Sequence, residues 1–185
     1  MIRGFLRSIF YDGSTEIIEK QTNWAGNYTF NAARIHYPQT IEQVQELAAR
    51  CVKVKALGAR HSFNGIADST EDIVSLAQCD RVLELDRDGR TVTVEAGIRY
   101  GELSRLLHAE GFALHNLASL PHISVAGACA TATHGSGDRN GNLATAVCAM
   151  EIVTANGERV SLSREHDAAT FSGAVVGLGD RKSVV

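Results

Sequence analysis

Two dipeptides, Asp88-Gly89 and Asn156-Gly157, each lie between two runs in which apolar and polar residues alternate. Asp-Gly and Asn-Gly are the preferred central residues of the tight turn that joins two antiparallel strands. We therefore expect β-hairpins at 81–96 and 147–162, and these exclude a purely parallel sheet. Residues 100–111 carry leucines at helical spacing and end in a glycine, as helices commonly do. The combination of helices with hairpins predicts an α+β fold.

A further helix and two strands are expected before the first hairpin. Thr40 and Gln43 match the capping box that begins many helices, and apolar residues keep helical spacing from there to residue 51. Short apolar runs at 53–57 and 73–76 predict strands.

The composition is that of an ordinary globular protein, with 44% apolar and 21% charged residues in a chain of 185. This length allows one domain with a substantial core, or at most two small ones. A net charge of −3 gives no electrostatic reason to bind nucleic acid or an anionic membrane surface. No apolar run approaches the length of a membrane span. We expect neither nucleic acid nor membrane as a partner, and the sequence predicts no oligomeric state.

The cysteines indicate a reducing compartment. We expect buried free thiols rather than metal ligands or disulfides, because the four residues are far apart and form no pair at ligand spacing. The seven histidines likewise show no ligand spacing, so no metal is predicted. We expect a cytoplasmic protein, although two arginines in the first ten residues leave a mitochondrial presequence as the alternative. The cysteines are Cys51, Cys79, Cys129 and Cys148.

Two segments free of carboxylates indicate a ligand that contains an anion. The first, GARHSFNG at 58–65, places a single histidine, His61, on a loop after an apolar run. The second, 118–137, is crowded with Gly, Ala, Ser and Thr. Small residues allow close approach of backbone N–H groups and hydroxyls to phosphate oxygens, which nearby carboxylates would repel. Two structural alternatives remain open: a histidine with no role beyond the surface, and a tightly packed buried helix of small residues.

Common nucleotide and hydrolase motifs do not fit the chain. The P-loop pattern is absent, and no strand is followed by G-x-G-x-x-G, since GLGDRK at 177–182 lacks the third glycine. THGSG at 133–137 does not match the nucleophile elbow G-x-S-x-G.

Four segments together resemble a known family. In chain order they are NWAGNYTF at 23–30, GARHSFN at 58–64, VEAGIRYGELSRLLHAEGFAL at 94–114 and SLPHISVAGACATATHGSG at 119–137. They are similar to the FAD-binding domain (PCMH type) of the alditol oxidases, which belong to the vanillyl-alcohol oxidase superfamily with the sugar-lactone oxidases. The resemblance implies FAD as cofactor and a domain of two small α/β subdomains.

The resemblance also implies domain boundaries. It spans residues 23–179, which leaves 1–22 as an N-terminal extension, expected to be flexible. In the family a substrate domain with the catalytic residues follows, so we expect the substrate domain to be missing here and the chain to be inactive by itself. We expect residues 180–185, DRKSVV, to be an artefactual tail, because they can be encoded by a string found in common sequencing adapters.

By this resemblance, His61 is the residue to which the 8α-methyl carbon of FAD is covalently bonded. A neutral imidazole is a competent nucleophile at physiological pH. The other positions that match the family's flavin contacts fall in the two segments described above, and Ser119 also matches a position close to substrate. The chain differs from many relatives at Ala59 and Arg60, where smaller residues are common. The matching positions are Ala56, Leu57, Gly58, Ala59, Arg60, Ser62, Asn64, Ser119, Ser124, Gly127, Thr131, Ala132, Thr133 and His134.

The function implied is FAD-dependent oxidation of the CH–OH group of an alditol, with oxygen as acceptor and hydrogen peroxide as product. The small-molecule partners would then be a polyol and dioxygen. One alternative is a sugar-1,4-lactone oxidase or dehydrogenase of the same superfamily, such as a D-arabinono-1,4-lactone oxidase. The alternative from another class is a flavin-binding module without catalysis.

Overall fold

The computed structural model describes residues 21–178. Over this range the chain forms three small β-sheets and four α-helices. Most of the expected N-terminal extension, 1–22, and all of the expected tail, 180–185, lie outside the described residues. Those two expectations stay predictions.

The sheets combine one parallel arrangement with two hairpins. β1, β3 and β2 are parallel and adjacent in that order, whereas β4 with β5 and β6 with β7 are antiparallel pairs. Both predicted hairpins are confirmed, and the predicted strands at 53–57 and 73–76 begin within one residue of the observed ones. The first strand and the parallel pairing were not predicted. The strands are β1 (Arg34–His36), β2 (Val54–Leu57), β3 (Asp72–Ser75), β4 (Val82–Asp86), β5 (Thr91–Val94), β6 (Ala149–Val153) and β7 (Arg159–Ser163).

Two of the helices were predicted. The first begins as expected, with the Thr40 hydroxyl accepting from the N–H of Gln43 at 3.4 Å, but the Gln43 side chain accepts from the N–H of Gln39 rather than completing the box. The second ends before Gly111, whose φ of 82° is readily adopted by glycine. Only six residues of the small-residue segment 118–137 are helical, so that segment is mainly loop. The helices are α1 (Ile41–Arg50), α2 (Tyr100–Ala109), α3 (Val125–Ala130) and α4 (Ala168–Val175).

Two apolar clusters form most of the core. In one, α1 packs on β2 and β3, with Val44 and Val74 almost fully buried. In the other, α3 and α4 pack on the β6–β7 hairpin around Phe171, which is fully buried. Burial of a side chain of this size contributes about 1.5–3 kcal/mol. Val153 of β6 belongs to the first cluster, so this strand joins the two small α/β halves.

An ion-pair network lies at the amino-terminal edge of the parallel sheet. Arg34 and Asp72 are opposite each other in the pairing of β1 with β3. The guanidinium donates to both carboxylate oxygens at 2.7 and 2.8 Å, and Nε2 of His36 lies 2.7 Å from Oδ1 of Asp72. The carboxylate is almost fully buried. Hydrogen bonds from Arg34 outweigh the effect of burial and hold the pKa of Asp72 well below its usual range.

Three of the four cysteines are buried thiols, as predicted, but Cys148 is exposed and the prediction was wrong there. Cys148 directly precedes β6, at the exposed start of the hairpin. Among the described helices, none combines the length and the apolar character that crossing a membrane requires.

Candidate functional site

The two acid-free segments meet at glycines. A Cβ atom added to Gly58 would lie 2.6 Å from the Ser124 hydroxyl oxygen and 3.6 Å from the Cα of Gly127. A Cβ added to Gly127 would lie 2.7 Å from the same oxygen. A Cβ at Gly58 would displace the hydroxyl of Ser124, which belongs to the other segment, whereas a Cβ at Gly127 would meet that hydroxyl within its own segment. Glycine at position 58 therefore allows the close contact between the two segments.

The start of α3 is fixed by backbone hydrogen bonds to the segment after β5. The N–H of Val125 donates to the carbonyl of Ile98 at 2.9 Å, and the N–H of Ala126 donates to that of Ala96 at 3.2 Å. The loop that starts at Gly58 follows β2 directly, so it begins at the carboxyl-terminal edge of the parallel sheet. Ligands of open parallel sheets commonly bind at that edge.

Backbone contacts on both sides hold His61 in place. The carbonyl of Arg60 accepts from the N–H of Trp24 at 2.8 Å, and the carbonyl of Ser62 accepts from the side-chain amide of Asn23 at 2.9 Å. Asn23 is buried and also bonds Asn27 and Tyr28, in the segment that carries the first part of the family resemblance. The role of Asn23 was missed, although the motif that contains it was identified.

His61, the predicted attachment residue, belongs to a cluster of three rings. The ring centroids of His61 and His122 are 4.7 Å apart, and Trp24 lies 5.0 Å from His61 and 5.5 Å from His122. Residues on both sides of His122 are fixed against α2, since Pro121 and Ile123 accept backbone N–H groups at 2.6 and 3.0 Å. We call Trp24, His61 and His122 the ring cluster. His122 was missed as a site residue, and its only signal was a position inside the second acid-free segment.

The electrostatic surroundings keep the His61 imidazole neutral. Burial lowers its pKa below the usual value, and the neighbouring His122 ring and the positive charges of Arg99 and Arg60 lower it further. None of the groups that act on the pKa of His61 is acidic. A neutral ring keeps the nitrogen lone pair that a nucleophile needs.

Several other predicted residues have structural contacts of their own. Thr131 donates to the carbonyl of Gly127 at 3.1 Å, and its hydroxyl lies 3.0 Å from that of Thr133. The Asn64 side chain caps a 3₁₀ turn by accepting from the N–H of Ile66 at 3.1 Å.

Ser119 and His134 are exposed and lie outside the ring cluster. Nδ1 of His134 lies 2.9 Å from the carbonyl oxygen of its neighbour Gly135. The structure therefore joins Gly58, Ser124 and Gly127 directly, and it does not join Ser119 or His134 to His61.

A broad groove runs past the contact between the two segments. Its volume is about 1920 Å³, and its lining includes Ala56–Arg60 and Ser124–Gly127. Enclosed pockets for small ligands typically measure roughly 300–1,000 Å³, so this is an open groove with room for an extended ligand.

A second group of buried polar residues could in principle hold a metal ion. One potential ligand atom each from His36, Cys51 and Asp72 lies within 4.8 Å of the others. Both oxygens of Asp72, however, already accept hydrogen bonds from Arg34. A divalent cation would lie next to that guanidinium, and burial raises the pKa of the Cys51 thiol, which disfavours the thiolate. We interpret this group as part of the ion-pair network.

Comparison with known families decides what the two acid-free segments belong to. A family profile described as an FAD binding domain matches residues 32–163, which include β1 to β7 and both acid-free segments. The chain belongs to this family of FAD-binding domains. The predicted cofactor class and fold are thereby confirmed, as is the resemblance to the vanillyl-alcohol oxidase superfamily.

Curated relatives of this FAD-binding domain are oxidases and dehydrogenases. It is 47% identical to the alditol oxidase of Streptomyces sp. (strain IKD472 / FERM P-14339) over 161 residues, 85% of this chain and 38% of that protein. Identity is 34% over 164 residues to the L-gulonolactone oxidase of Bos taurus, 86% of this chain and 37% of that protein. It is 35% over 162 residues to L-galactono-1,4-lactone dehydrogenase 1, mitochondrial, of Oryza sativa subsp. japonica, 85% of this chain and 28% of that protein. The chain thus spans less than two fifths of each of these relatives.

The side chains of this FAD-binding domain fit an FAD molecule in three respects. Gly58 is exposed and Gly127 is half-buried, no carboxylate occurs in either segment, and a buried nitrogen of His122 has no hydrogen-bond partner among residues 21–178. Accessible N–H groups without nearby carboxylates suit a diphosphate. The ring cluster offers aromatic surface and polar nitrogens to a flat heterocycle.

Proposed function

We propose that this chain is the FAD-binding part of an oxidase that acts on the CH–OH groups of alditols, with dioxygen as acceptor and hydrogen peroxide as product. The observation that carries the proposal is the 47% identity to a Streptomyces alditol oxidase. FAD, when bound, supplies the acceptor for the two electrons of the alcohol. The residues of this chain bind and orient it: the segments at Gly58 and Gly127 hold the diphosphate, and the loop of His61 holds the ring system.

Covalent attachment of FAD through His61 is part of this proposal. The geometry supports it because a nucleophile must be held in place, and hydrogen bonds to Arg60 and Ser62 fix the backbone on both sides. The lowered pKa of His61 supports it as well, since the neutral imidazole is the reactive form. The other FAD contacts that the resemblance implies, and the position of Ser119 close to substrate, remain proposals.

A sugar-1,4-lactone oxidase or dehydrogenase is the second candidate. Relatives with those names are 34% and 35% identical to this chain over similar lengths. A flavin-binding module without catalysis is the remaining alternative. We also propose a cytoplasmic location; one relative has a mitochondrial name, and cell fractionation distinguishes the two compartments.

A chimera tests the proposal. Residues 23–178 of this chain would replace the matching segment of the Streptomyces alditol oxidase, and the same residues would replace the matching segment of the bovine L-gulonolactone oxidase. We expect the first chimera to retain FAD through acid precipitation and to release peroxide with xylitol, and the second to lose most of its activity. A His61→Ala version of the first should lose the covalent flavin, whereas His166→Ala, at an exposed position, should keep it. An active lactone chimera beside an inactive alditol chimera would favour the second candidate.

A further inference from the structure

His122 carries a buried polar atom that nothing in the described chain satisfies. Its Nε2 is shielded from solvent and has no hydrogen-bond partner among residues 21–178. A buried polar atom without a partner has lost its hydrogen bonds to water with nothing in return, so such atoms are uncommon unless they have a further role. The other two such atoms, on Ser104 and Asn142, lie outside the ring cluster.

His122 lies next to His61, which must release a proton when it forms the proposed bond to FAD. The ring centroids of His122 and His61 are 4.7 Å apart, with planes tilted by 43°. A neutral imidazole carries one N–H, and when its other nitrogen uses its lone pair to bond the 8α carbon, the ring stays neutral only if that N–H proton is released. An adjacent base is the usual device that activates such a nucleophile.

We propose that His122 accepts the imidazole proton of His61 when the bond to FAD forms. This inference rests on the proposed covalent attachment at His61. His122 suits the role because one nitrogen of a neutral histidine is always an acceptor, and its Nε2 is not engaged by another residue. The positive charges of Arg60 and Arg99 near His61 favour release of the proton.

The chemistry balances with dioxygen as the oxidant. One bond forms, between the unprotonated ring nitrogen of His61 and the 8α carbon, and two bonds break: the N–H of the other ring nitrogen of His61 and one C–H of the 8α carbon. The electron pair and the two protons, one of them by way of His122, reduce the ring system. Dioxygen then takes up the pair and two protons and leaves as hydrogen peroxide, which restores the oxidised flavin and a neutral His122.

The backbone geometry fixes the distance between the two rings. Hydrogen bonds from Trp24 and Asn23 fix the backbone on both sides of His61. Hydrogen bonds from the start of α2 fix the two chain neighbours of His122. The two rings are therefore held side by side, although no hydrogen bond joins Nε2 of His122 to His61 in this structure. Catalytic hydrogen bonds commonly shorten only when the reactant is bound.

The experiment measures the rate of covalent attachment. The 185-residue chain would be purified free of flavin and mixed with saturating FAD in air, and samples would be denatured at intervals and read as flavin fluorescence on a gel. We expect His122→Gln and His122→Ala to slow attachment by roughly 10²–10⁴-fold, the usual contribution of a positioned base. Glutamine keeps a polar group of similar reach but cannot take the proton, and His166→Ala is the matched control.

Two further readouts separate proton transfer from a structural role. FAD dissociation constants measured by equilibrium dialysis in a His61→Ala background, with and without His122→Gln, separate any loss of FAD affinity from the loss of attachment rate. Free imidazole should restore much of the attachment rate of His122→Ala. Attachment by His122→Gln at the wild-type rate, or a slowing fully explained by weaker FAD binding, would overturn the inference and leave the proposed function standing. Wild-type chain without covalent flavin, or a band that persists in His61→Ala, would overturn the attachment itself and this inference with it.

Discussion

At the scale of single residues, two positions of the candidate site have left-handed backbone conformations. Arg60 has a φ of 64° and Ala132 a φ of 51°, one in each acid-free segment. Residues with a Cβ atom avoid this region, at a cost of roughly 1–2 kcal/mol. Strained conformations of this kind are concentrated at ligand sites, where the surrounding structure enforces them. At both positions the chain therefore gives up stability to hold a backbone geometry.

Ala132→Gly should stabilise the FAD-free chain. Glycine removes the steric cost at φ 51° but loses more entropy on folding, so the expected net gain is about 0.5–1 kcal/mol. Urea unfolding followed by circular dichroism measures it. Ala130→Gly, two residues earlier in α3, should instead destabilise by about 1 kcal/mol. Equal effects of the two changes would show that Ala132 is not strained.

At the scale of elements, the two edges of the parallel sheet have different tasks. The carboxyl-terminal edge leads into the loop of Gly58 and His61, whereas the amino-terminal edge carries Arg34, His36 and Asp72. The network at that second edge joins β1 to β3, and β1 is only three residues long. Side-chain bonds thus hold a strand that has few backbone bonds of its own.

Asp72→Asn should destabilise the fold by roughly 3 kcal/mol at neutral pH, the low end for loss of one partner of a buried ion pair, because Arg34 stays half solvated. The pKa of Asp72 is lowered in the folded state, so its contribution is complete above the ordinary value of 3.8 and is lost as the pH falls through the folded pKa. The difference between wild type and variant should therefore shrink in acid.

Urea unfolding at neutral and acid pH checks this expectation, with Glu71→Gln as the neighbouring control. A difference that stays constant down to pH 3 would contradict the assigned role of the Asp72 charge.

At the scale of the whole molecule, the two α/β halves meet where Gly58, Ser124 and Gly127 touch. The meeting point lies on the groove, so the same contact that joins the halves also shapes the candidate FAD site. A change there should affect stability and cofactor binding together.

Gly58→Ala should destabilise by about 1 kcal/mol, the low end of the usual cost of overpacking, because the group that the added Cβ meets is a hydroxyl that can rotate. The added Cβ would meet the Ser124 hydroxyl at 2.6 Å, so Ser124→Ala in the same chain should recover most of the loss. Ser124 makes no side-chain capping bond to α3, and its replacement alone should therefore cost little. Unfolding of the two single variants and the double variant forms a cycle. If the changes in unfolding free energy of the two single variants simply add in the double variant, the two segments do not press on each other.

Local signals allowed much of this fold to be predicted, and non-local contacts account for the rest. Asp88-Gly89 and Asn156-Gly157 determine their hairpins within a few residues, so these were predictable. β1 pairs with a strand more than thirty residues away through Arg34 and Asp72, and nothing near Arg34 in the sequence indicates that partner.

In the candidate site, too, local features were predictable and non-local contacts were not. The loop of His61 and the second acid-free segment were predictable from composition and resemblance. The contact of His61 with His122 was not, because it joins residues of two separate loops, one after β2 and the other before α3. The role of Asn23 could not be predicted for the same reason, since its side chain donates to a carbonyl 39 residues away.

Trp24 is the only tryptophan in the sequence, and it lies in the ring cluster with 55% of its surface exposed. Its ultraviolet emission therefore comes from one known place, beside the residue proposed to carry the cofactor. An isoalloxazine ring absorbs at the wavelengths at which indole emits, so arrival of the cofactor should quench this emission by energy transfer. The chain thus contains an intrinsic optical probe of its own site, and loading can be followed in real time without a label.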